Sequence, residues 1–154
     1  MRISEAGLAL FTRIGLGGVT QYLTQWSDTW QMYALVGGHV EPGESFRACC
    51  VREVTEELTL TPDVDFRVAI DPVLPVFEYT AMSKAAGVET RYRVELYAAE
   101  LLTPVAEATV NGNAANRWLT EAEIRQHVSA DGQPISTQVE TVLQACGIIE
   151  PECV

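Results

Sequence analysis

No apolar run in the 154-residue sequence approaches the ~20 residues that a membrane-spanning helix needs. Positive charge is scarce as well: 10 Lys and Arg stand against 21 Asp and Glu, a formal net charge of -11. That balance argues against duplex nucleic acid as a partner, because such binding relies on a basic face to neutralise phosphates. The four cysteines, Cys49, Cys50, Cys146 and Cys153, form neither a Cys-x-x-Cys pair nor a Cys/His array at zinc spacing, and read as ordinary reduced thiols. Repeats, low-complexity tracts and Pro/Gly/Ser linkers are missing, so residues 1–154 are read as a single domain. Met1 to Glu5 carry no basic segment leading into an apolar stretch, which makes a cytoplasmic location without a membrane the expectation. What is present is apolar material, 47% of residues, enough for one core.

Strand patterns come first along the chain: Gly7 to Arg13, the β-branched and aromatic run Val19 to Trp26, and Met32 to Val36 ending at Gly37-Gly38. From Ser45 to Leu58 the period becomes helical, with Ala48, Val51, Thr55 and Leu58 predicted as the apolar stripe. Beyond a turn near Thr61-Pro62-Asp63, two long strands are expected at Val68 to Tyr79 and Arg91 to Leu101, flanking a polar connection with Ser83, Lys84 and Gly87. Asn111-Gly112-Asn113 reads as a turn and Asn116 to Leu119 as a last strand. Two helices follow, Ile124 to Val128 behind a Thr120-Glu123 cap and Pro134 to Cys146 ending at Gly147. This order predicts an α/β (α+β) fold, a mixed sheet with helices on both faces.

The chemistry concentrates in Gly37-Gly38-His39-Val40-Glu41-Pro42-Gly43-Glu44-Ser45 and the helix that carries Arg52-Glu53-Val54-Thr55-Glu56-Glu57. Five of the 21 acids lie between Glu41 and Glu57. At 100° per residue, Glu53, Glu56 and Glu57 fall within about a 100° arc, opposite the predicted stripe. Such carboxylates repel one another by ~0.2 to 0.5 kcal/mol per pair, and anions in the last turn oppose the helix dipole by ~0.3 to 1 kcal/mol each. Arg52 can pair with Glu56 but cannot neutralise all three. A solvated acidic face is the bland explanation; a divalent cation, Mg²⁺ or Mn²⁺, held by hard oxygen ligands is the one that removes the repulsion and lets phosphate approach. The glycines before the helix serve either a tight turn capped by Ser45 or the close approach of main chain to metal or phosphate.

Gly38-x5-Glu44-x7-Arg52-Glu53-Val54-x-Glu56-Glu57-x-Thr59-Leu60 resembles the signature of the Nudix hydrolases, keeping every charged position and one of its two glycines over 23 residues. Asn116-Arg117-Trp118-Leu119-Thr120-Glu121 is similar to the Trp-containing strand near the end of such domains. The resemblance implies an α/β/α sandwich and Mg²⁺-dependent hydrolysis of a nucleoside diphosphate linked to a further group. The implied metal ligands are Glu53, Glu56 and Glu57, with the Gly37 carbonyl; the implied catalytic residues are Glu53, Glu57 and Arg52. Glu53 is a candidate base unless a later loop supplies it, and Arg52 would orient a neighbouring Glu. Gly38, His39 and Glu44 belong to the loop around the substrate, Glu44 as its support or a minor ligand. The partner expected is a small phosphorylated metabolite or nucleotide, and a homodimer is compatible with the sequence.

Two departures from the pattern stand out. Thr59 replaces the glycine that ends the helix in the left-handed conformation, so a different helix exit is expected. The loop before Trp118 offers Asn111, Asn113 and Asn116 where relatives carry an acid, which leaves room for a non-catalytic nucleotide-binding module. Pro75, 15 residues after Leu60, resembles a marker of ADP-ribose pyrophosphatases. Phe77, Tyr79 and Trp118 are candidates for stacking a base, or for the core. His39 and His127 show no partner by spacing.

Overall fold

The computed structural model describes residues 2–82 and 87–151; Cys153, Ser83 and Lys84 lie outside them. The strands are β1 (Arg2–Ile14), β2 (Thr20–Ser27), β3 (Met32–His39), β4 (Phe66–Val68), β5 (Phe77–Met82), β6 (Glu89–Leu101) and β7 (Asn116–Thr120). The helices are α1 (Phe46–Leu58), α2 (Pro104–Gly112), α3 (Glu121–Gln126) and α4 (Thr137–Ala145). Among the described residues the strands form one seven-stranded mixed sheet in the order β4-β6-β1-β3-β2-β7, with β5 also paired to β6. Of the strand pairings among the described residues only β1–β6 is parallel, with Leu8 opposite Leu96; the other strand pairs are antiparallel. No helix of the described residues is long and apolar enough to cross a membrane.

Both faces of the sheet are covered, so β1 is buried without interruption from Ala6 to Phe11 rather than at alternate residues. Leu8, Leu10, Leu35 and Leu96 face α3 and α4 through Ile124, Val139, Val142 and Leu143. Ala9, Phe11, Leu23 and Val36 face α1 and α2 through Cys50, Val54, Leu58, Ala106 and Val110. This is the predicted α/β/α sandwich. On the second face α1 rests on bare main chain: a Cβ at Gly7 would stand 2.3 Å from the Phe46 carbonyl oxygen.

Four local expectations are corrected. The buried residues of α1 are Cys49, Cys50, Val54 and Leu58, while Ala48 is exposed and Val51 and Thr55 are only half-buried. The stripe is therefore rotated towards the face that meets the sheet at Gly7, where the Cys50 N–H and the Phe46 carbonyl come closest. The long strand expected over 68–79 is two strands, β4 and β5, separated by an irregular stretch holding Pro72 and Pro75, which cannot donate to a ladder. Asn111 and Gly112 do not make a turn between strands but end α2, which opens on a Thr103 cap and Pro104 in its first turn. Thr59 takes the left-handed conformation itself (φ 54°, ψ 48°), so the helix exit that glycine would provide is kept at a cost in backbone strain of about 1–2 kcal/mol.

Candidate active site

Sheet and helix meet where Gly37 and Gly38 close β3. Gly37 has φ 145°, and a Cβ there would meet the Gly7 carbonyl oxygen at 2.3 Å. At Gly38 a Cβ would meet the Glu53 carboxyl carbon at 2.6 Å, so Glu53 lies against main chain that only glycine leaves open. One turn later Glu57, half-buried, accepts the Gly37 N–H at 3.4 Å and lies within hydrogen-bonding reach of Glu53. Burial first, then the bond with Glu53 and its charge, push the Glu57 carboxyl up to about 8, against the opposing pull of the Gly37 N–H. Gln25 fixes this end of α1, donating to the Glu57 carbonyl at 2.9 Å and to Asn116 Oδ1 at 2.8 Å.

Arg52 works in the opposite sense. Its Nε and Nη2 donate to the two oxygens of Glu44 at 2.8 and 3.0 Å, its Nη1 to Glu53 at 2.9 Å, and Nη2 also to the His39 carbonyl at 3.1 Å. Glu56 lies 3.5 Å and Glu41 3.8 Å from the guanidinium. The paired Arg52 holds the Glu44 carboxyl down to about 2, and Glu44 raises the Arg52 pKa in return. Glu44 also accepts the Glu41 N–H at 3.1 Å, which ties the loop to the helix. The Cys49 thiol donates to the Gly38 carbonyl at 3.2 Å and burial raises its pKa to about 11, a structural thiol rather than a nucleophile.

The structure thus divides the predicted trio. Glu53 and Glu57 face one another, whereas the Glu56 side chain is 61% exposed on the rim. Among the described residues no three His, Cys, Asp or Glu side chains are already gathered as a metal cage. The donors nevertheless fit a hard divalent cation: two carboxylates in contact, one of them holding its proton against ordinary acidity, and a third a turn away. A cation would replace that proton.

This carboxylate pair stands at the edge of a cavity of about 560 Å³ on the α4 side of the sheet, where Trp26, Trp30, Tyr79 and Tyr92 line it with Gly38 and His39. His39 is held through Nδ1 by the Ser4 hydroxyl at 2.9 Å. Of the aromatic candidates only Tyr79 is here. Phe77 stacks behind it, ring centroids 6.4 Å apart, and Trp118 lies elsewhere, with the Arg13 guanidinium 4.6 Å over its ring and its Nε1 donating to Asn111 at 2.9 Å. Sequence reasoning missed Trp26, Trp30 and Tyr92. Tyr92 was accessible from period-two spacing with Val94 and Leu96, and Trp26 likewise with Tyr22 and Thr24; Trp30, inside the turn between β2 and β3, gave no such signal. Asn111, Asn113 and Asn116 are engaged locally: Asn113 caps the Ala115 N–H at 3.0 Å and Asn116 donates to the Val110 carbonyl at 3.0 Å. His127 pairs with Glu140 at 2.9 Å, away from the cavity.

The sequence matches the NUDIX domain over residues 16–138. The chain belongs to the Nudix family. As a Nudix protein it is a hydrolase of phosphorus-containing anhydrides. Its fold is shared with a C. elegans Ap4A hydrolase at 18% identity and TM-score 0.58, over 95% of this chain and 97% of that one. A mutT/nudix family protein from Listeria innocua is similar at 17% identity and TM-score 0.58, over 96% and 94% of the two chains. The Shewanella oneidensis NrtR complexed with a 27mer DNA shares the fold at 14% identity and TM-score 0.55, over 91% of this chain but 59% of its own. No curated protein matches the sequence. At these identities the structural likeness concerns the fold.

Proposed function

We propose that this Nudix hydrolase is a Mg²⁺-dependent pyrophosphohydrolase, with Mn²⁺ as a possible substitute, cleaving the diphosphate bond of a nucleoside diphosphate linked to a further group. The observation that carries the reading is the mutually facing pair Glu53 and Glu57 at the edge of an aromatic-lined cavity. Glu53 and Glu57, joined by Glu56 and the Gly37 carbonyl, would hold the cation, which when bound neutralises phosphoryl oxygens and lowers the pKa of a water.

The remaining work falls to the chain. Glu53 takes the proton of the attacking water as its oxygen bonds to phosphorus and the bridging P–O bond breaks. Arg52, anchored by Glu44, fixes the orientation of Glu53 through their 2.9 Å bond and does not touch substrate. Glu44 supports the loop from Glu41 to Ser45. Trp30 and Tyr92 line the cavity as aromatic surface for a base, Tyr92 being backed by Tyr79. Pro75 does not line this cavity, so nothing in the site favours ADP-ribose over other members of the class.

The test is incubation with Mg²⁺ and a panel of dNTPs, ADP-ribose, dinucleoside polyphosphates and nucleotide sugars. Mg²⁺-dependent product from at least one compound is expected, and Glu57→Gln should abolish most of it. Binding across the panel without any turnover would replace this reading by a nucleotide-binding module, and an undiminished rate in Glu57→Gln would overturn the metal assignment.

A further inference from the structure

The cavity beside α1 is lined by the carboxylates of Glu41, Glu53 and Glu57, and among the described residues no Lys or Arg lines it with them. A diphosphate has more oxygens than a cation held by Glu53 and Glu57 can cover, and an oxygen left bare in acidic surroundings needs a hydrogen-bond donor. His39 is the one basic side chain in that lining.

The fold holds this ring from several sides. His39 stands opposite Ala6 in the β1–β3 register, so both side chains lie on the cavity face of the sheet. Ser4, two residues before Ala6 and therefore on the same face, is 7% exposed, and its hydroxyl lies 2.9 Å from His39 Nδ1. The main chain is fixed as well: Arg52 Nη2 donates to the His39 carbonyl at 3.1 Å, and the Val40 N–H donates to the Glu5 carbonyl at 2.9 Å.

Ser4 decides which ring nitrogen carries the proton. Its hydroxyl has no other hydrogen-bond partner among the described residues, so this buried O–H would be stranded if Nδ1 were itself the donor. The hydroxyl therefore donates to Nδ1, and the ring proton sits on Nε2. Nε2 makes no hydrogen bond within the described residues, and the His39 side chain is exposed at the cavity. A further Lys or Arg at this place would pair with the carboxylates and compete with the cation. A neutral imidazole donates without occupying them.

Resting on the hydrolase reading above, we infer that His39 binds the diphosphate, its Nε2–H donating to a phosphoryl oxygen that the cation leaves uncovered, and that Ser4 is the positioning residue that turns the ring to this task. One hydrogen bond to a charged acceptor contributes about tenfold or more in affinity.

The probe is adenosine 5′-(α,β-methylene)diphosphate, a nucleoside diphosphate whose bridge is not cleaved, titrated by calorimetry in saturating Mg²⁺. Mg²⁺ alone is titrated beside it, and kcat and KM are measured for a compound that is turned over. His39→Leu should weaken the probe by about tenfold or more and raise KM to match, with kcat and the affinity for Mg²⁺ alone held within about threefold. His39→Gln, whose amide N–H can stand in for Nε2–H, should return to within about threefold of wild type. Ser4→Ala leaves the ring free to turn and to exchange tautomers, and should cost about two- to fivefold. Probe affinity within about twofold of wild type in His39→Leu overturns the inference. So does a Gln variant no better than Leu, or a parallel loss of Mg²⁺ affinity, either of which makes the role of His39 structural. An unchanged Ser4→Ala overturns the part given to Ser4. If no compound is turned over while the probe keeps this pattern, the hydrolase reading fails and the role of His39 stands; no binding of the probe by the wild-type protein overturns that role.

Discussion

Glu44 and Glu57 belong to the same motif and sit in opposite electrostatic surroundings. Glu44 is gripped by Arg52 through bonds of 2.8 and 3.0 Å, and its carboxyl is held down to about 2. Glu57 is half-buried beside another carboxylate with a single main-chain N–H at 3.4 Å for support, and is pushed up to about 8. One acid is thus compensated within the fold and can brace a loop. The other is left uncompensated, which is where a cation gains most from binding and where phosphate, repelled by a surface of net charge -11, can be received.

The sharpest break of this contrast is replacement of each acid by its amide. Glu57→Gln should lower kcat/KM by more than about 10²-fold, since losses of 10–100-fold already follow from removing the partners of metal ligands. The same change should raise the melting temperature of the metal-free protein, because it removes a half-buried carboxylate from beside Glu53. Glu44→Gln should cost about 10–100-fold in activity through a loosened Arg52 and Glu53, and should lower the melting temperature. Thermal melts of both variants with and without Mg²⁺ check the opposite signs; two variants shifting the same way would erase the distinction.

A pH series sharpens it further. Folded Glu57 keeps its proton up to about 8, whereas the unfolded chain loses it near the ordinary 4.5, so between these values the folded state holds more protons and metal-free stability falls as pH rises. Saturating Mg²⁺ should flatten that fall, and Glu57→Gln should remove it. Glu44 contributes the reverse: stability fully present above 4.5 and lost as pH drops towards 2. The smallest effect is expected at the helix exit just beyond Glu57. Thr59→Gly relieves the left-handed strain and should raise the melting temperature by about 2–4 °C, with turnover unchanged within about twofold.

The sequence made the box helix, its Ser45 cap and the order of the carboxylates legible, because cap chemistry and fixed spacing are local. It did not show that Glu53 and Glu57 turn inward while Glu56 stays on the rim, since that depends on how α1 is rotated against the sheet. Apolar counting favoured Ala48 and Thr55 over Cys50 and Val54, but the face that packs is set by how α1 seats on Gly7, which the count does not contain. Helix α2 was hidden by Asn-Gly, a strong turn signal that here terminates a helix, although Thr103-Pro104 already offered a start. The cavity depends on non-local pairing: Tyr79 and Tyr92 meet only because β5 and β6 register them opposite one another. No spacing rule brings Trp30 to the same place.

The seating of α1 on Gly7 has a bearing on drift. Where a helix rests on side chains, each core substitution can tilt it by a fraction of an ångström; here the contact is main chain to main chain, and the Phe46 carbonyl has no rotamer to yield. At that one point the distance from α1 to β1 is a dimension of the backbone, while Cys50, Val54 and Leu58 further along the helix still meet side chains of the sheet. A core substitution that leaves this contact in place therefore changes how tightly the chain folds more than where the start of α1 stands.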